Sequence, residues 1–67
     1  MAWQPEDMKA WRLRLGLTQT QGGEALGVTL RAIQHYEGGT RPIPRVVELA
    51  CWAIEQRGRE KRLRERR

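Results

Sequence analysis

Apolar side chains recur at three- and four-residue intervals along most of the chain, and no segment shows the strict alternation of a half-buried strand. Residues 5–15 predict a first helix. Pro5 suits its first position, Glu6 and Asp7 lie against the positive end of its dipole, Met8, Trp11 and Leu15 share a face, and Gly16 stops it. Trp3 can pack back from outside its start. Thr18 then reads as an N-cap, with Gln21 in the capping-box position, for a second helix that ends at Leu26, where Gly27 supplies a left-handed residue. Val28 buries at the turn, Thr29 caps again, and a short third helix over 30–36 carries Ile33 and Tyr36 on one face and ends at Glu37. Gly38, Gly39 and Thr40 make a flexible turn. The segment Arg41-Pro-Ile-Pro44 is barred from helix until Pro44 itself opens a fourth helix over 44–56. Val47, Ala50, Cys51 and Ile54 form its inward stripe, while Val46, Leu49 and Trp52 leave it more apolar around its circumference than one buried face requires. Gly58 is expected to break or weaken its continuation. The prediction is an all-α domain of four helices over 5–56 with a C-terminal tail over 57–67.

Composition narrows this picture. With 67 residues there is room for one domain and a thin core, whose stability is modest or supported by a partner. The net charge of +5 and a pI near 10.7 suggest a polyanionic partner, nucleic acid before membrane. Yet six basic and six acidic residues cancel over 1–56. The whole excess lies in 57–67, where seven basic residues face Glu60 and Glu65, so the basic tail is either a solvated terminus or an auxiliary phosphate-binding arm. Cys51 is the single cysteine and His35 the single histidine, which excludes an internal disulfide and a Cys/His zinc set. No basic region followed by an apolar run opens the chain, and no stretch is long enough to span a bilayer. The chain therefore reads as a soluble, unprocessed protein of a reducing cytoplasm, with no cofactor or small-molecule ligand expected.

Two short capped helices separated by Gly27-Val28-Thr29 have the arrangement of a helix-turn-helix, in which the first helix crosses the nucleic-acid backbone and the second is offered to the major groove. The string Leu15-Gly-Leu-Thr-Gln19, followed by Ala25-Leu-Gly-Val-Thr29, Ile33, Tyr36-Glu37 and Gly39-Thr-Arg-Pro42, resembles the Cro- and phage-repressor-like (XRE-type) helix-turn-helix family in order and spacing. The resemblance covers residues 8–54. It implies a compact lambda-repressor-like domain that binds double-stranded DNA, with Leu30, Arg31 and His35 at the outward positions of the recognition helix and Gln34 bordering them. A guanidinium at Arg31 can pair bidentately with guanine or, alternatively, hold a phosphate; Leu30 suits a thymine methyl; His35 is either a contact or a surface histidine. The resemblance further implies phosphate contacts at Thr18, Gln19, Thr29, Gly39, Thr40, Arg41 and Arg45, and an ion pair between Arg12 and Glu37 that orients the first helix against the third.

The chain departs from the family pattern at Gly22 and Gly23. Gly23 keeps close helix packing, Gly22 lacks the usual apolar anchor, and each costs about 1 kcal/mol of helix stability relative to Ala, so the second helix is expected to be labile alone. Members of the family commonly bind inverted repeats as dimers. Val46, Leu49 and Trp52 can form the dimer interface, or Trp52 can simply cap the monomer core. The expected function is a cytoplasmic, nucleoid-associated dimeric repressor acting by promoter occlusion in a phage, mobile-element or toxin–antitoxin setting. A rival is an antitoxin-like or adaptor module of the same fold that binds protein through Trp52. RNA binding through the Arg-rich tail is another. Catalysis is excluded, since the lone histidine lies on the groove-facing helix and the lone cysteine on an apolar stripe.

Overall fold

Each helix begins where a capping residue or a proline allows it, and two of them stop at a left-handed glycine. The computed structural model describes residues 2–65, so the last two residues of the basic tail lie outside the described residues. It contains four helices, α1 (Pro5–Arg14), α2 (Gln19–Leu26), α3 (Leu30–Gly38) and α4 (Arg45–Glu65). At the start of α1, Asp7 Oδ2 accepts the Gln4 amide at 2.7 Å. At α2, Thr18 and Gln21 exchange side-chain and backbone hydrogen bonds of 3.1 and 2.9 Å, the reciprocal capping box that the spacing predicts. Thr29 Oγ1 accepts the Ala32 amide at 3.0 Å and caps α3. Gly27 and Gly39, at φ of 73° and 79°, end α2 and α3 in the left-handed conformation that side chains with a Cβ rarely adopt.

Met8, Trp11, Ile33, Ile43, Val47 and Cys51 form the buried core, with Trp3, Leu15, Leu17, Leu26, Val28, Tyr36 and Ile54 packed around it. The indole of Trp11 is fully buried, and its Nε1 donates to the Cys51 carbonyl at 2.8 Å, so one side chain joins α1 to α4 with its polar atom satisfied. Ile43 is a core residue the helical periodicity does not reveal. It lies between two prolines in an extended segment, where its apolar character alone is the signal.

The fourth helix departs from the sequence expectation. It starts at Arg45, with the Pro44 carbonyl accepting the Val47 and Glu48 amides, and it runs through Gly58 to Glu65 without a break. The expected boundary at residue 56 is therefore no interruption of the helix. A single glycine costs about 1 kcal/mol relative to Ala, and the flanking Glu, Gln, Arg, Lys and Leu are all good helix formers, so their summed preference carries the helix past it. The helix α3 likewise extends to Gly38 before Gly39 turns the chain. Among the described residues no helix is long and apolar enough to cross a membrane.

The paired glycines of α2 serve different ends. A Cβ on Gly23 would lie 2.9 Å from the Val28 carbonyl oxygen, so glycine is required where the turn folds back on α2. At Gly22 a Cβ would meet the aliphatic stem of Arg12 at 3.4 Å and the Trp11 ring at 3.8 Å, ordinary contacts. The space of an apolar anchor is thus covered by Arg12 and Trp11. Gly22→Ala is expected to stabilise the domain by about 0.5 to 1 kcal/mol, a rise of several degrees in Tm, whereas Gly23→Ala lowers it. Thermal unfolding followed by circular dichroism checks both, and equal effects of the two substitutions would contradict this assignment.

Candidate nucleic-acid interface

The site is built around α3, held against α2 across the turn at 27–29. Ile33 is fully buried and Tyr36 and Ala32 are half-buried on the inner side, which turns Leu30, Arg31 and Gln34 outward as an exposed face. These three side chains stand close together on the helix surface, at spacings of three and four. His35 is half-buried at the edge of that face. Its Nδ1 lies 2.6 Å from Thr40 Oγ1, and the Thr40 amide and hydroxyl both donate to the His35 carbonyl, at 3.1 and 3.3 Å. The turn after α3 is thus tied to the end of the helix by Thr40, a fastening that no spacing in the sequence reveals.

The helix N-termini differ in charge. The first turns of α1 and α4 hold Glu6, Asp7 and Glu48, but those of α2 and α3 hold no acidic residue. No acidic side chain of their own first turns offsets the positive ends of those two dipoles. Thr18 and Thr29 use their hydroxyl oxygens as acceptors for capping, and each hydroxyl proton remains to be donated outward, for example to a phosphate. Arg41 and Gly39 are exposed in the following turn. Arg45 is exposed as well, with Nη1 at 3.3 Å from Glu48 Oε1.

Behind this surface a hydrogen-bonded arginine fixes the angle between helices. Arg12 Nε and Nη2 donate to the two carboxylate oxygens of Glu37 at 2.8 and 2.9 Å, and Nη1 donates to the Leu17 carbonyl at 3.0 Å. Both side chains are nearly buried, 11% and 7% exposed. The hydrogen bond to Glu37 raises the Arg12 pKa above that of a free guanidinium, against the opposing effect of desolvation. Gln19 sits beside the pair, its Nε2 at 3.5 Å from Glu37 Oε1. The link to Leu17, which holds the loop between α1 and α2, is a second contact that sequence spacing does not predict. A further pair on the far side, Arg14 with Glu55 at 2.9 Å, joins the end of α1 to α4. Among the described residues no group of His, Cys, Asp and Glu side chains could hold a metal ion. Cys51 is buried, and desolvation pushes its thiol up to about 12, the opposite of an activated nucleophile.

Removing one member of the buried fork leaves the other charged and unpaired. Glu37→Leu and Arg12→Met are each expected to lower stability, Glu37→Leu by up to about 3 kcal/mol, and the double variant Arg12→Met/Glu37→Leu to recover much of that loss. Urea unfolding of the single and double variants measures the coupling. Simple additivity would show that the pair does not act as a unit.

A helix-turn-helix family model matches residues 8–50. The solved structure of a Nitrosomonas europaea protein, provisionally designated a DNA-binding protein, superposes with a TM-score of 0.78 at 33% identity. The match covers 81% of this chain and 35% of that one, so the chain corresponds to about a third of its relative's length. No curated protein matches the sequence. Family match, four-helix architecture and the α2–turn–α3 geometry agree, and the chain belongs to the Cro- and repressor-like (XRE-type) helix-turn-helix family of non-catalytic DNA-binding domains.

Proposed function

We propose that this domain is a sequence-specific transcriptional regulator, which binds an inverted-repeat operator as a homodimer and represses by occluding a promoter. The observation that carries this reading is the exposed face of Leu30, Arg31 and Gln34, flanked by two capped helix N-termini free of acidic residues. In the groove, Arg31 pairs with a guanine edge, Leu30 meets a thymine methyl and Gln34 reads an adjacent base. His35, braced by Thr40, lies at the border of the reading face. Thr18, Gln19, Thr29, Gly39, Thr40, Arg41 and Arg45 hold the flanking phosphates and set the register of α3 in the groove.

A single helix of this length reads few bases, and two copies one helical turn apart double the site. Support for a two-fold partner comes from α4, where Val46, Leu49 and Trp52 are 75%, 50% and 62% exposed. Trp52 is thus no cap on the monomer core, and a contiguous apolar surface of this kind favours a protein contact. The same surface serves the alternative, an adaptor that binds another protein, and DNA measurements separate the two.

Arg31→Ala is expected to cost about 1 to 3 kcal/mol on the preferred operator and to relax the choice at one base position, whereas Arg41→Ala weakens binding to all duplexes alike. Selection from a random duplex pool, followed by titration on selected and scrambled DNA, tests this. Equal losses on both duplexes for Arg31→Ala would reject base reading by that side chain. For the dimer, Trp52→Asp is expected to yield a folded monomer with poor operator affinity. Analytical sedimentation that shows an unchanged dimer would move the interface elsewhere.

A further inference from the structure

The outer side of α4 carries Val46, Leu49 and Leu63, with Ala53, Gln56 and Glu60 between them. Positions 46, 49, 53, 56, 60 and 63 fall along one seam, opposite the buried Val47 and Cys51, with the three-and-four spacing that lets two helices pack lengthwise. The seam continues beyond the body of the domain. Leu63, just over three turns past Cys51, the last buried core residue of α4, is 67% exposed. An apolar residue there, on a helix that has left its own core behind, is available to a partner's surface.

Charge is divided unequally along the same helix. Residues 45–55 carry one basic and two acidic side chains, and residues 57–65 carry five basic and two acidic. Two copies of α4 laid parallel would set basic half on basic half, with Glu60 against its own counterpart in the seam. Laid antiparallel, each basic half lies over the other copy's slightly acidic half. That half also holds an unmet acceptor. Among the described residues Glu48 Oε2 is buried without a hydrogen-bond partner, and Glu48 lines a hollow with Trp3, Arg45, Leu49 and Trp52.

We propose that a second copy of the chain lays its α4 antiparallel along this face, filling the hollow with its basic half. Counting the seam outward from its centre places the partner subunit's Leu63 over Val46, the partner subunit's Glu60 over Leu49, and Ala53 opposite the partner subunit's Gln56, so that each Glu60 meets a leucine and not a second carboxylate. The partner subunit's Arg59 then reaches the Trp52 ring, beside Glu48, where a guanidinium gains both the aromatic face and a carboxylate. The inference rests on the two-fold reading above and specifies its orientation. It also assigns the basic half of α4 to protein contact rather than to DNA phosphates.

Cysteine pairing tests the orientation on the full chain. Val46→Cys and Leu63→Cys are prepared separately, with the native Cys51 left in place because it is buried and its thiol is unreactive. Under mild oxidation the mixed variants are expected to form a 46-to-63 disulfide, and neither variant alone to cross-link to itself. Leu63→Asp is expected to raise the dimer Kd at least tenfold while leaving the Tm of dilute, monomeric protein unchanged. Self-cross-linking of each variant, or a sedimenting dimer that forms no mixed disulfide, would overturn the antiparallel arrangement while leaving the dimer intact. A chain that sediments as a monomer at all concentrations would overturn the two-fold reading beneath it.

Discussion

The buried indole of Trp11 is the contact on which the molecule depends. A domain of 67 residues has few large side chains to bury, and this one is fully enclosed, with its single polar atom donated to the Cys51 carbonyl of α4. The hydrogen bond matters because an indole N–H buried without a partner would offset much of what the ring contributes. With α1 and α4 joined, Met8, Ile33 and Ile43 close the core between them, and α3 acquires a fixed floor. The next residue in the chain, Arg12, uses that anchorage. Its guanidinium reaches Leu17 on one side and Glu37 on the other, so the positions of α2 and α3 relative to α1 follow from two adjacent side chains.

This rigidity has a functional meaning at the surface. A recognition helix places base-reading side chains usefully only when its depth and tilt are set by something other than the DNA. Ile33 beneath, the Glu37 fork at the end and the Thr29 cap at the start hold α3 at three points. Burying an ion pair yields little net stability, since desolvation opposes the Coulomb attraction. Its geometry is nonetheless specific, because a fork of two parallel hydrogen bonds tolerates few orientations. Thr40, bonded to both the ring and the carbonyl of His35, extends the same control into the following turn.

The helix α4 is divided along its length and around its circumference. Its inner face over the first half belongs to the core, and its outer face carries apolar residues from Val46 to Leu63. The basic excess of the chain, which bulk composition would assign to nucleic acid, lies largely on this same helix beyond the core. Charge alone therefore says little about where DNA sits. The starts of α2 and α3 differ from that basic stretch in kind, with no acidic residue in their first turns and threonine hydroxyl groups positioned by capping.

Sequence by itself determined what local physics governs. The N-caps Thr18 and Thr29, the left-handed Gly27, the starts of α1 to α3 and the inward stripe of α4 were all legible, because capping, φ preference and helical period act within a few residues. The family string added the overall fold and the class of partner. Tertiary structure decided whatever depends on how the helices and the loops between them meet. Ile43 joins the core because the fold brings it into one cluster with Met8, Trp11 and Ile33, Arg12 holds the Leu17 carbonyl because the loop folds back to it, and Gly23 is obligatory because the Val28 carbonyl comes within 2.9 Å of where a Cβ would be. The passage of α4 through Gly58 lay between the two kinds. A glycine marks a weak point locally, but helix propensity sums over the whole segment, and the strong formers on either side outweigh it.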